Sequence, residues 1–178
     1  MDQVAKGGID KLAIRSVASA LGLAPNALYR YFPNLAALEA ALADESRRRL
    51  LGVLQKAAAK KPPEQAIRSI AQAYVRFARL QPQVFSLTLR PSTIETGAAA
   101  THVLAWSFVL GQAARIYGEE RAPEAAVALW AFLHGMTALE AARVFGERKP
   151  VSSFEFGLQM WISAASTNPP SNLSARRR

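Results

Sequence analysis

Cysteine is absent from this 178-residue chain and histidine occurs only twice, as His102 and His134. Without cysteine there is no disulfide framework, no thiolate metal site and no cysteine nucleophile, which fits a reducing, cytoplasmic setting. Two histidines on separate segments, with no carboxylate cluster beside them, make a poor metal site, so no metal or other cofactor is expected. No Ser-His-acid spacing and no Gly-rich phosphate loop is present, so catalysis is not expected. The first residues, Met1 to Gly8, hold no apolar run of the kind a secretory leader requires. One long charge-free stretch, Thr96 to Ala114, is interrupted by Thr101, His102, Ser107 and Gln112. That pattern fits a buried helix better than a membrane span, which wants roughly 20 mostly apolar residues.

Proline is missing from the interior of every apolar-periodic segment. All ten prolines, at 25, 33, 62, 63, 82, 91, 123, 150, 169 and 170, stand at plausible helix edges. Alanine and leucine dominate between them, and no stretch alternates with period two. The expected fold is all-α, with helices at about 14–21, 25–31, 34–59, 63–80, 82–89, 97–117, 123–146 and 152–166. The stretch 168–178 is rich in proline, serine and arginine and is expected to be a disordered basic tail.

Acidic residues are scarce relative to basic ones, 13 against 22, for a net charge of +9. Residues 1–61 carry ten Lys/Arg against five Asp/Glu, while 62–178 carry twelve against eight, three of those twelve being Arg176, Arg177 and Arg178. The excess therefore gathers in the N-terminal third. It suits a polyanionic partner, because Lys and Arg displace counterions condensed on phosphate.

The pattern from Ile14 to Pro33 gives that charge a context. Val17, Leu21, Leu23, Leu28 and Tyr31 supply apolar side chains expected to lock two short helices at a steep angle. Ala18 is small where the helices approach, and Gly22 offers the positive φ of a turn. Pro25 suits the first turn of a second helix. An ordinary helical hairpin has the same spacing; a helix-turn-helix puts its second helix, here 25–32, into the DNA major groove.

The run Leu28-Tyr29-Arg30-Tyr31-Phe32-Pro33-Asn34, followed by Leu35-Ala36-Ala37-Leu38, resembles the DNA-binding domain of the tetracycline-repressor (TetR) family over Ile9 to Leu42. Trp130-x-x-x-His134-Gly135 is similar to the Trp-His-Gly signature of one class of C-terminal ligand domain in that family. The resemblance implies a DNA-binding domain at 1–42 and a helical ligand-binding and dimerisation domain at 43–167. It also implies a full helix ahead of the helix-turn-helix. Only Met1 to Lys6 precede Gly7-Gly8, so the native chain is expected to begin upstream of Met1 or else to carry a weakened DNA-binding domain. Two departures from the family pattern stand out. Leu35 replaces a lysine often found at the start of the next helix, and Ala24 replaces the usual hydroxyl cap, which forfeits about 1 kcal/mol.

Pro25, Asn26, Ala27, Tyr29, Arg30 and Tyr31 are the expected DNA-facing residues. Asn pairs with adenine and Arg with guanine, and residues 26 and 30 share a helix face. The resemblance implies phosphate contacts for Tyr29 and Tyr31, although one of the two is expected to pack in the core; Arg30 is otherwise simply solvated. Arg47, Arg48 and Arg49 fan over one side of the following helix, where a solvated surface is expected.

Trp130, His134 and Thr137 form one helical stripe, and with Tyr74, Phe77 and Trp106 they are candidates for a ligand cavity. The same residues would serve equally as core. Ala128, Ala131, Gly135, Ala138 and Ala142 recur every three or four residues, a small-residue seam that admits another helix closely. With Leu158, Trp161 and Ala165 they are the expected dimer interface, since the resemblance implies pairing of the last two helices with their symmetry mates; packing within the subunit is the other option. Together these readings describe a cytoplasmic, homodimeric, ligand-responsive regulator, most often a repressor. Its expected partners are a double-stranded palindromic operator and a small apolar or aromatic effector. A helical dimeric interaction or ligand-binding module that has lost operator binding is the alternative.

Overall fold

The computed structural model describes residues 17–19, 21–90 and 98–167, and among these every regular element is a helix. After helical residues 17–19 come α1 (Pro25–Tyr29), α2 (Leu35–Ala58), α3 (Pro63–Leu80), α4 (Pro82–Leu87), α5 (Ala98–Tyr117), α6 (Ala122–Ala141) and α7 (Val151–Thr167). Proline opens α1, α3 and α4 as their first residue and stands second in α6, positions where its missing N–H costs no intrahelical bond. The expected first helix of the family, residues 1–16 and the tail 168–178 lie outside the described residues.

Helix ends follow from local chemistry. The turn into α1 is a complete Schellman motif: Leu23 N–H donates to Ala18 O at 2.9 Å and Gly22 N–H to Ser19 O at 3.1 Å, with Gly22 at φ +66°. Asn34 caps α2, its Oδ1 accepting the Ala37 N–H at 2.8 Å. Two ends correct the expected ranges. α6 stops at Ala141 rather than 146, because Arg143 takes φ +57° and the chain folds back with Val144 N–H on Leu139 O. α4 stops at Leu87 rather than 89, where the backbone N–H and Oγ1 of Thr88 both turn onto Phe85 O.

The described chain divides into two compact units. One unit holds residues 1–53 and 76–106, the other 54–75 and 107–178, so α2, α3 and α5 each contribute to both. The core around the turn comprises Ala18, Leu28, Leu38, Ala43 and Leu87, with Val17, Phe32 and Leu42 packed against it. Three residues expected to lock the helix pair are instead exposed: Leu21 by 61%, Leu23 by 46% and Tyr31 by 78%. Their places are taken by Phe32 and by Leu87, which the short-range pattern could not supply.

The second unit buries the amphipathic face of α3, with Ala66, Ile67, Ile70, Ala71, Tyr74 and Val75 recurring at helical spacing. Leu129 and Leu133 of α6 and Leu158 and Ile162 of α7 are also buried. Gly157 marks a close approach of α6 and α7, since a Cβ there would overlap the ring of Phe132. That ring stacks on Phe154 with centroids 6.0 Å apart. Trp161 donates its indole N–H to Ala125 O at 2.9 Å and meets Tyr117 edge-on at 4.8 Å.

Candidate nucleic-acid interface

Leu28 fixes the orientation of α1. It is 6% exposed and anchored in the first unit's core. Positions 26 and 30 stand two residues either side, about 200° away around a helix with 3.6 residues per turn, so they face outward. Asn26 and Arg30 are indeed exposed, and Ala27 is half-buried between them. Tyr29 is 46% and Tyr31 78% exposed. The expectation that one tyrosine packs inward is corrected: Phe32 fills that role, through a chain that leaves the helix with Phe32 N–H on Leu28 O. Pro25 begins the helix behind Ala24, which offers no side-chain cap. α1 and the turn that follows it thus present an amide (Asn26), a guanidinium (Arg30) and two phenols (Tyr29, Tyr31) to solvent on one short, single-anchored segment. Amide and guanidinium suit base edges, and phenol hydroxyls suit phosphate oxygens.

The arginine run on α2 separates into two roles. Arg48 and Arg49 are exposed and paired along the helix, Arg48 with Asp44 and Glu45 at 2.5 Å each and Arg49 with Glu45 at 2.7 Å. The guanidinium of Arg49, with Arg48, holds the Glu45 carboxyl below its ordinary range. Arg47 is not a solvated surface residue but 6% exposed, and it donates to the carbonyls of Thr88 and Arg90.

Four of the six expected ligand residues come together in the second unit. The Tyr74 hydroxyl lies 3.4 Å from Nδ1 of His134, and Thr137 Oγ1 donates to His134 O at 2.8 Å. Trp130 sits 6.4 Å from His134 by ring centroids and is 46% exposed. Burial pushes the Tyr74 phenol up to about 12, opposed by its hydrogen bond with Trp130. Phe77 and Trp106 belong to the first unit, the former buried and the latter half-buried. A separate open groove of about 590 Å³ in the second unit is lined by residues that include Pro62, Glu64, Arg115, Ile162 and Ala165. Sequence reasoning missed it, because its walls come from three helices with no shared motif. Arg115 there is already engaged, with Gln112 and with Lys61 O.

The small-residue seam points outward. Ala131, Ala138 and Ala142 are exposed, and nothing lies within 4 Å of a Cβ built on Gly135. Their expected companions on α7 do not share that face. Leu158 is fully buried, Trp161 spends its N–H within the subunit and Ala165 is half-buried beside the groove. The outward large apolar residues of α7 are Val151, Phe156 and Met160, exposed by 58%, 69% and 58%. Among the described residues no helix is long and apolar enough to cross a membrane.

Comparison with known proteins matches this geometry to a family. Residues 1–42 match the model for bacterial regulatory proteins of the tetR family, and residues 67–160 the model for a tetracyclin repressor-like C-terminal domain. None of the curated proteins matches the sequence. The fold is shared with a solved structure described as “putative regulatory protein SCO4313” (TM-score 0.74, 21% identity, covering 91% of this chain and 90% of that one). A protein with unknown function from Rhodococcus sp. RHA1 gives 0.69 at 22% identity, over 91% and 85% of the two chains. A possible TetR family transcriptional regulator from Streptomyces coelicolor A3(2) gives 0.63 at 18% identity, over 93% and 94%. With its outward-facing helix α1 and both models in register along the sequence, this chain belongs to the tetR family of bacterial regulatory proteins.

Proposed function

We propose that this DNA-binding transcriptional regulator acts as a homodimeric, ligand-responsive repressor of a palindromic operator. The observation that carries the reading is α1 itself, anchored by Leu28 with Asn26 and Arg30 on the opposite, solvent-facing side. Two copies of α1, roughly 34–36 Å apart, would enter successive major grooves of one duplex face. Pro25, Ala27, Tyr29 and Tyr31 would complete the contact, the tyrosines on phosphate and the small residues allowing close approach. The outward seam Ala131, Gly135, Ala138 and Ala142, with Phe156 and Met160, is the surface proposed to meet the partner copy. An apolar or aromatic effector would bind beside Tyr74, Trp130, His134 and Thr137. Effector binding would favour a state with the wrong spacing and lower operator occupancy. Membership of the Trp-His-Gly subclass rests on Trp130, His134 and Gly135 alone.

The test begins with selection of duplexes from a random pool, followed by titration of the selected and a scrambled duplex at several salt concentrations. Arg30→Ala is expected to cost about 1–3 kcal/mol and to relax preference at one base pair. Tyr31→Phe should weaken both duplexes about equally, because a phosphate contact carries no base information. Equal binding of selected and scrambled DNA by the wild type would overturn operator reading. A helical module without operator binding would then be the better account, and the uncapped α1 and Leu35 in place of lysine favour that second reading.

A further inference from the structure

Arg47 is the least expected side chain in the molecule. A guanidinium 6% exposed loses most of its hydration, and burial pushes it below its ordinary value. Its Nε donates to Thr88 O at 3.1 Å and one Nη to Arg90 O. These carbonyls belong to the turn that follows α4, a six-residue helix. A helix that short is marginal by itself. Backbone closes its last turn, Thr88 N–H on Phe85 O and Arg90 N–H on Leu87 O, and Arg47 ties down the carbonyls just beyond it.

Arg47 does not act singly. Glu39, Ala43 and Arg47 recur every four residues and therefore form one stripe along α2. Each member holds a different part of the same short segment. Glu39 stands 3.9 Å from the Arg90 guanidinium, Ala43 shares a buried cluster with Leu87, and Arg47 takes the Thr88 and Arg90 carbonyls. That cluster also contains Ala18 and Leu28, so the segment 87–90 is joined to the base of α1 by a fully buried side chain. The other Nη of Arg47 and Oδ1 of Asp44 are buried without a hydrogen-bond partner in the described structure. A buried polar network satisfied only in part adds little net stability beyond an apolar one, so its clearest physical effect is to fix where the segment sits.

We propose that Arg47 is a positioning residue for α1: it clamps the turn after α4 to α2, so that Leu87 completes the core on which the recognition helix rests. This rests on the reading of α1 as the DNA-contacting helix, but the clamp is measurable without DNA. Arg47→Met keeps the apolar stem and removes every donor; Arg47→Lys keeps the charge and one reach.

The experiment is amide hydrogen exchange on the full-length protein, followed by titration of the duplex selected above. In Arg47→Met, exchange of residues 82–90 should accelerate about tenfold or more, with residues 25–32 accelerating alongside and 122–141 unchanged. Affinity for the selected duplex should fall about tenfold with no change in the salt slope, since no phosphate contact is removed. Arg47→Lys should recover part of both effects. Wild-type exchange at 25–32 in a variant whose 82–90 segment has loosened would overturn the proposal. A salt slope reduced by about one would overturn it differently, by making Arg47 a phosphate contact. If Arg47→Met does not fold, the comparison of Arg47→Lys with wild type decides by the same readouts. If no duplex is selected, operator reading has failed while the exchange result still stands or falls separately.

Discussion

Two glycines separate packing inside the subunit from packing outside it. Gly157 lies under the Phe132 ring, so Gly157→Ala must displace an aromatic stacked on Phe154. We expect a loss of about 1–3 kcal/mol in chemical unfolding, typical of overpacking. Gly135 meets nothing. Gly135→Leu should leave subunit stability nearly unchanged while weakening self-association, which sedimentation over a concentration series would show. Tyr74 gives a pH prediction. Its phenol is pushed up to about 12 in the folded protein by burial, against 10 as its ordinary value. The neutral form is thus favoured by folding, and its contribution is complete below pH 10 and lost as pH rises toward 12. That window should remove about 1–3 kcal/mol of stability. Tyr74→Phe should flatten the decline, and an unchanged decline would assign it elsewhere.

At the scale of elements, α1 is the shortest of the described helices and α2 the longest. α1 has five helical residues and an alanine at its cap, which offers no side-chain acceptor to the first N–H groups. Ala24→Ser should therefore stabilise the first unit by about 1 kcal/mol, visible as slower exchange of residues 25–32. Asn34→Ala should do the reverse to α2 by a similar amount, because its Oδ1 bond to Ala37 N–H is lost. If both substitutions are silent, helix capping is not what limits the order of this region. The pairs of Arg48 and Arg49 with Asp44 and Glu45 are solvent-exposed and add at most a few tenths of a kcal/mol each.

For the whole molecule, the proposed dimer would use a surface that the subunit leaves uncovered. Val127 and Leu139 on α6 and Phe156 and Met160 on α7 are large apolar residues with 43–69% exposure. Apolar area of this kind marks an interaction site in soluble proteins. A double charge substitution, Phe156→Glu with Met160→Glu, should yield a folded monomer that binds one half-site weakly and no longer prefers a palindrome. A wild-type mass at the monomer value in dilute solution would remove the dimer from the proposal.

Much of this was legible in the chain itself, because it is written in local rules. Proline placement and the Ala/Leu-rich period gave helix starts to within a residue or two, as at Pro63 and Pro82, since a helix must begin where its N–H groups are free. Gly22 and the Leu28-to-Pro33 run pointed to a turn and an outward second helix, because 100° per residue puts 26 and 30 opposite 28. What tertiary structure alone decided is which apolar and charged side chains go inside. Leu21, Leu23 and Tyr31 have the same hydrophobicity as residues that are buried, yet Leu87, far along the sequence, fills the core they were expected to build. Arg47 is indistinguishable in sequence from Arg48 and Arg49, and only the carbonyls of Thr88 and Arg90 make its burial tolerable. Leu158 and Trp161 share the helical spacing of a surface stripe, but α6 lies against that side and leaves Phe156 and Met160 outside. Periodicity specifies that a helix has an apolar face; the partner that covers the face, and how far it extends, is a property of distant chain brought near.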